Sequence, residues 1–204
     1  MEEHQRRRGP RGDVSRAGIV AAAERVLRAG GLAELSLRSV AREAGITPNA
    51  VYTYVASMAD LRNELGDAFL AGLDLGLLRS GTPAEALRRF LDHVLLTFTQ
   101  SPHHVQILAS QRVVGDGALA LHEALLTFFE QQLDWDLARA ADATMFLTEW
   151  VHGHVLLAPS NLPVPHPDSP RAVDLTRFPR AVAALELPAL GSPVDLPLRA
   201  VFGT

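Results

Sequence analysis

Apolar positions recur along most of the chain at the spacing of helix faces. Ile19, Ala22, Ala23, Val26 and Leu27 fall at i, i+3, i+4, i+7 and i+8, so a first helix runs from Ser15 or Arg16 until Gly30-Gly31 ends it. Ser36 is an N-cap for a short second helix whose apolar face is Leu37, Val40, Ala41 and Ala44, and Gly45 stops it. Thr47 can cap a third helix with Pro48 at its first position, where the missing N–H costs nothing; this helix is expected to reach about Val55. Ser57-x-x-Asp60 resembles a capping box and opens a long helix through Leu61, Leu65, Phe69 and Leu73 to about Leu78.

The same period continues. Thr82-Pro83 opens a helix with Leu87, Phe90, Leu91, Val94, Leu95 and Phe98 inside. A short helix follows "SPHH" to about Arg112, "VVGDG" is a loop, and helices are expected over 118–133 and 136–157. Residues 158–170 hold five prolines and read as a loop. "LTRFPRAVAALEL" can form one more helix if Pro179 lies in its first turn. The closing "PVDLPLRAVFGT" is short and interrupted by proline, and no helix is assigned to it. No sustained period-2 run competes, so the expected fold is all-α. The expected organisation is a flexible basic arm over 1–14, a helix-turn-helix domain over 15–56, and a helical ligand-binding and dimerisation domain over 57–204.

Composition narrows the chemistry. The 204 residues are 48% hydrophobic, enough for a buried core, and contain no cysteine, which removes disulfides and thiolate chemistry. Neither a signal-peptide core nor a membrane-length apolar run is present, so a cytoplasmic protein with no membrane association is expected. The net charge of −4 argues against nucleic acid, but it is unevenly spread. Residues 1–66 carry ten Arg against eight acids, a net of +2; residues 67–204 carry nine Arg against fifteen, a net of −6. A weakly basic head on an acidic body fits an anion-binding module, and it equally fits a solvated Arg-rich tail.

The pattern "REAGITPNAVY" favours the first, with a turn glycine between two packed helices and half-buried tyrosines as the competing assignment. Ala44-Gly45 makes a sharp turn, Ile46 plugs the joint, and Val51 and Val55 seat the third helix on the first two. Thr47, Pro48, Asn49, Ala50, Thr53 and Tyr54 then face outward. A recognition helix lies in the major groove with its N-terminal residues at the base edges. Asn49 suits an adenine edge, Ala50 or the Thr47 methyl a thymine methyl, and Arg38 a guanine or a phosphate. Tyr52 and Tyr54, the chain's only tyrosines, are about 200° apart on a regular helix, which suits phosphates of the two flanking strands.

The ordered set "AAAERVLRAGGLAELSLRSVAREAGITPNAVYTYVASMADL" resembles the DNA-binding domain of the TetR family of bacterial transcriptional repressors. "RFPRAVAALEL" is similar to a segment of the tetracycline-repressor-like C-terminal subfamily. The resemblance implies an all-helical homodimer whose C-terminal domain binds a small-molecule effector, with a double-stranded DNA operator as partner. Arg38 matches a base-reading position, as do Pro48, Asn49 and Ala50; Tyr52 and Tyr54 match residues that grip the backbone; and Ser57 precedes the fourth helix. Met58 departs from the pattern, which has a phosphate-contacting Lys there. One phosphate contact fewer lowers the salt slope of binding by roughly 0.9. Arg6, Arg7, Arg8 and Arg11 can compensate from the arm, or can remain an unattached tail.

The body carries no comparable motif. Seven of eight histidines follow residue 90, but His152-Gly153-His154 puts the rings about 200° apart, and no metal or cofactor is expected. The 136–157 segment is apolar on more than one face, which serves an interface on one side and a pocket on another. Phe90, Val94, Leu108, Arg112, Trp150 and His154 are the pocket candidates, with plain core packing as the competing assignment. A non-enzymatic, ligand-released repressor is the expected function; an all-α enzyme using His and Glu149, or an adaptor without DNA affinity, is the alternative.

Overall fold

A computed structural model of the chain describes residues 15–157, 174–185 and 191–203. Every regular element among them is helical. The chain divides into two compact units. One takes the chain up to Gly72 together with Gln106–Ala118; the other takes Leu73–Val105 and the chain from Leu119 onward.

In the first unit, Ser15 opens α1 (Arg16–Glu34) by accepting the Gly18 N–H on its hydroxyl. Gly31, at φ 69° and ψ −170°, interrupts the helical path, which is why the expected stop at the glycine pair is followed by one further turn rather than a loop. Ser36 and Ser39 cap α2 (Leu37–Ala44) reciprocally: Ser36 Oγ accepts from Ser39 N at 3.1 Å, and Ser39 Oγ accepts from Ser36 N at 2.9 Å. Gly45 ends it in the left-handed conformation, at φ 69°. Here α3 covers only Pro48–Val51, not the stretch to Val55. Thr47 stands at its N-cap without a side-chain capping bond, and Tyr52–Tyr54 continue as turns.

Next comes α4 (Met58–Ala71), capped by Ser57, whose Oγ accepts from Asp60 N. It ends well before Leu78. Asp74 instead caps a separate 3-10 turn, Leu75–Arg79, by accepting from Gly76 N. One core cluster unites these helices: Ile19, Ala22, Ala23, Leu27, Leu35, Val40, Ala41, Val51, Val55, Leu61 and Leu65, joined by Ile107. The 106–118 segment belongs with α4. The Asn63 side chain donates to Val114 O at 2.7 Å and accepts from Val114 N at 2.9 Å, while Asp67 Oδ1 accepts from Ala118 N at 2.8 Å. Gly117 is needed at this contact, because a Cβ there would stand 2.3 Å from the Asp67 carbonyl oxygen.

In the second unit, a Thr82–Glu85 capping box opens α5 (Pro83–Thr99). Its buried face is Ala86, Leu87, Phe90, Leu91, Val94 and Phe98, while Leu95 is half-buried. Then follow α6 (Pro102–Ser110), whose residues from Gln106 on belong to the first unit, α7 (Asp116–Leu133), which belongs to the second from Leu119 on, and α8 (Leu137–Leu157). The expected helix over 175–187 is a short 3-10 turn and α9 (Pro179–Leu185), with Pro179 in its first position. The closing segment does form a helix, α10 (Asp195–Phe202). Pro197 lies in its first turn, where its ring breaks no internal bond, and Leu198 and Val201 are buried. Arg88 on α5 pairs with Asp195 at 2.6 Å, and α10 packs against both α5 and α8. The arm over 1–14 and the proline-rich 158–170 stretch lie outside the described residues.

Candidate nucleic-acid interface

The joint between α2 and α3 follows from three local facts. Gly45 turns the chain at no steric cost, and Ile46 N returns to Ala41 O at 3.0 Å. Pro48 then pre-sets the first turn of α3. Val51 and Val55 are fully buried, and that fixes which residues point away. Thr47, Pro48, Asn49 and Thr53 are exposed; Ala50 is half-buried. Tyr52 is 58% exposed. Arg38 on α2 is also exposed and makes no ion pair among the described residues, whereas Arg25 and Arg28 are held by Glu43 and Glu24. One small surface of the first unit therefore presents a free guanidinium, an amide, two hydroxyl side chains and a phenol.

Two sequence expectations change in detail. A regular helix through Tyr54 would have splayed the tyrosines to opposite sides. Since α3 ends at Val51, they stand in the turn that follows it. Tyr52 is fully presented, while the half-buried Tyr54 packs against the head core. Met58 is likewise half-buried against that core. Where a Lys would reach outward, this chain spends the side chain on packing. Ser57 is exposed, but its hydroxyl already accepts from Asp60 N.

One residue stood out in no sequence motif. Arg16 opens α1, and its guanidinium reaches three acceptors far along the chain. Nη1 donates to Tyr54 O at 2.9 Å; Nη2 donates to Asp60 Oδ1 at 2.9 Å and to Glu64 Oε1 at 2.7 Å. The Glu64 hydrogen bond above all, then the charges of Glu64 and Asp60, raise its pKa above the ordinary arginine value. The only available signal was acids at i and i+4 on the fourth helix.

With this geometry in view, residues 19–65 match the family model described as bacterial regulatory proteins, tetR family. Residues 19–65 are thus a tetR-family domain. The fold of the chain is shared along nearly its whole length by solved structures. ActR from Streptomyces coelicolor without ligand is 20% identical, with 93% of each chain covered and a TM-score of 0.76. ActR in complex with actinorhodin is 18% identical, with 96% of each covered and a TM-score of 0.74. BioQ with its double-stranded DNA operator is 19% identical over 91% of this chain and 98% of that one, at a TM-score of 0.60. No curated protein matches the chain.

The pocket candidates of the chain fall in different places. Phe90 and Val94 are buried on one face of α5. Trp150 and His154 stack on α8 with centroids 5.1 Å apart, both half-buried. Leu108 and Arg112, the first half-buried and the second exposed, belong to the other unit. Among the described residues, no group of three or more His, Asp or Glu is arranged to hold a metal, and no helix is long and apolar enough to cross a membrane.

Proposed function

We propose that the protein is a cytoplasmic, homodimeric repressor that leaves a pseudo-palindromic operator when a small molecule binds its body. The carrying observation is the surface that buried Val51 and Val55 leave outward: Thr47, Pro48, Asn49, Ala50 and Thr53, flanked by Arg38 and Tyr52. In this reading Asn49 and Arg38 read base edges, Ala50 and Thr47 touch thymine methyls, and Tyr52, Tyr54, Thr53 and Ser57 hold phosphates. BioQ, seen with its DNA operator, supports the placement of such a head on duplex DNA.

Dimerisation is supported by α8. It buries Ala140, Thr144, Leu147 and Val151, yet leaves Met145, Phe146, Leu156 and Leu157 between 39% and 57% exposed. Two copies place two recognition helices in successive major grooves. ActR, seen with actinorhodin, supports a small molecule as the body's occupant. Phe90, Val94, Trp150 and His154 of the second unit are the proposed contacts, with the Trp150–His154 pair offering a flat stacking face. The occupant shifts the population toward a head separation that fits DNA poorly, and α4 is the lever.

Operator selection from random duplexes, repeated with Asn49→Ala and Arg38→Ala, tests the reading. A selected palindrome whose preference relaxes at one position per half-site in each variant supports it. Selection of no duplex, or affinity indifferent to salt, sinks it.

A further inference from the structure

We propose that Arg16 is a positioning residue for DNA recognition, clamping the turn behind the recognition helix to the start of α4. The proposal rests on the DNA-binding reading above. It begins from a weakness. Four residues make α3 too short to be stable alone, and its N-cap side chain contributes no hydrogen bond, so its pose is set by neighbours. On one side Val51 and Val55 are buried. On the other, Arg16 takes hold of the Tyr54 carbonyl.

The same guanidinium holds Asp60 and Glu64, one turn apart on α4. Asp60 in turn accepts Ala56 N on its second oxygen at 2.8 Å, and Ser57 Oγ accepts Asp60 N at 3.1 Å. One continuous network therefore fixes Tyr54, Ala56, Ser57 and Asp60, the whole connection from recognition helix to lever. A planar fork reaches these three acceptors at once; an ammonium on a flexible stem does not. Because the two carboxylates engage its charge, Arg16 acts on the protein's geometry and not as a phosphate contact. Its side chain is 48% exposed, so the pairing is screened, and the directed hydrogen bond to Tyr54 is what sets the pose.

The full-length protein is titrated by fluorescence anisotropy, over a range of salt, against its selected operator duplex and a scrambled duplex. The variants are Arg16→Lys and the charge-matched double change Arg16→Met with Glu64→Gln. Operator affinity should fall about tenfold in both, the worth of one charge-assisted hydrogen bond, with scrambled-duplex affinity and salt slope unchanged. Parallel losses on both duplexes with a slope smaller by about 0.9 would instead make Arg16 a phosphate contact and overturn the proposal. Unchanged operator affinity also overturns it. If the double variant melts below assay temperature, Arg16→Lys decides, since it keeps the charge. A wild-type protein that prefers no duplex refutes the DNA-binding reading itself; a wild type that binds while the variants bind equally refutes only the clamp.

Discussion

Among the described residues, the helices of the two units differ in how much apolar surface they leave exposed. In the head, each of four helices turns a face onto one cluster, and Thr47, Pro48, Asn49, Tyr52 and Thr53 are left exposed beside it. In the body, α8 buries a single stripe and leaves five large apolar residues exposed: Leu137, Met145, Phe146, Leu156 and Leu157. Exposed apolar patches of that kind mark surfaces that meet something else. The head closes a core with its own helices, whereas α8 leaves the apolar face that the proposed dimer would cover.

The sharpest way to break this contrast is to remove one side chain from each region. Leu61 is fully buried, and Leu61→Ala should cost roughly 2–5 kcal/mol in urea unfolding, mostly as an unfilled cavity. Replacing Phe146 and Leu157 with serine should leave the helical circular dichroism intact while raising the monomer fraction in sedimentation. If the serine pair unfolds the protein as severely as Leu61→Ala, the α8 face is core, and the body is as self-contained as the head.

Next in size is the reader itself. Asn49→Ala should leave thermal unfolding unchanged and reduce discrimination at its base pair by about 1–3 kcal/mol. Equal affinity for matched and mismatched duplexes before and after the change would show that Asn49 reads nothing, whatever its exposure.

The contrast also explains what the sequence made legible. Head boundaries came from residues with one local meaning: Ser36, Gly45, Pro48 and Ser57 each act within three or four positions of themselves. The inward set Ile19, Leu27, Val40, Val51 and Leu61 followed from period alone. The end of α3 was not legible, because the spacing of Val51 and Val55 also fits a helix that continues to Val55, whereas the chain passes into turns after Val51. Arg16 was invisible for the related reason that its acceptors lie 38 to 48 residues away. Met58 looked like a lost phosphate contact; its packing on the head core gives the side chain another use. In the body, the segment from 193 read as too broken for a helix, since nothing local says that Asp195 meets Arg88.

A smaller effect tests the local half of that account. Gly45 has φ 69°, and a Cβ there would meet nothing within 4 Å. Gly45→Ala should therefore cost about 1 kcal/mol through backbone conformation alone. A loss several times larger would mean that the turn is held by contacts as well as by conformation.

The smallest expected effect concerns acid and the body. Glu85 sits in the capping box of α5, and hydrogen bonds from the Thr82 backbone N–H, then its hydroxyl, hold its carboxyl below the ordinary range. The Arg88 hydrogen bond does the same for Asp195. A carboxylate depressed on folding contributes stability that is fully present above its unfolded value, about 4.3 for Glu, and is lost as pH falls through the depressed one. The melting temperature should thus be flat from neutral pH down to about 5 and decline below about 4.3. Both groups are solvent-exposed, so the decline should be shallow. Glu85→Gln keeps an acceptor but removes the titration, so it should start slightly less stable at neutral pH and lose less on acidification. If wild type and Glu85→Gln decline in parallel, the acid sensitivity lies outside the α5 cap, and this helix start is held by packing and Pro83 instead.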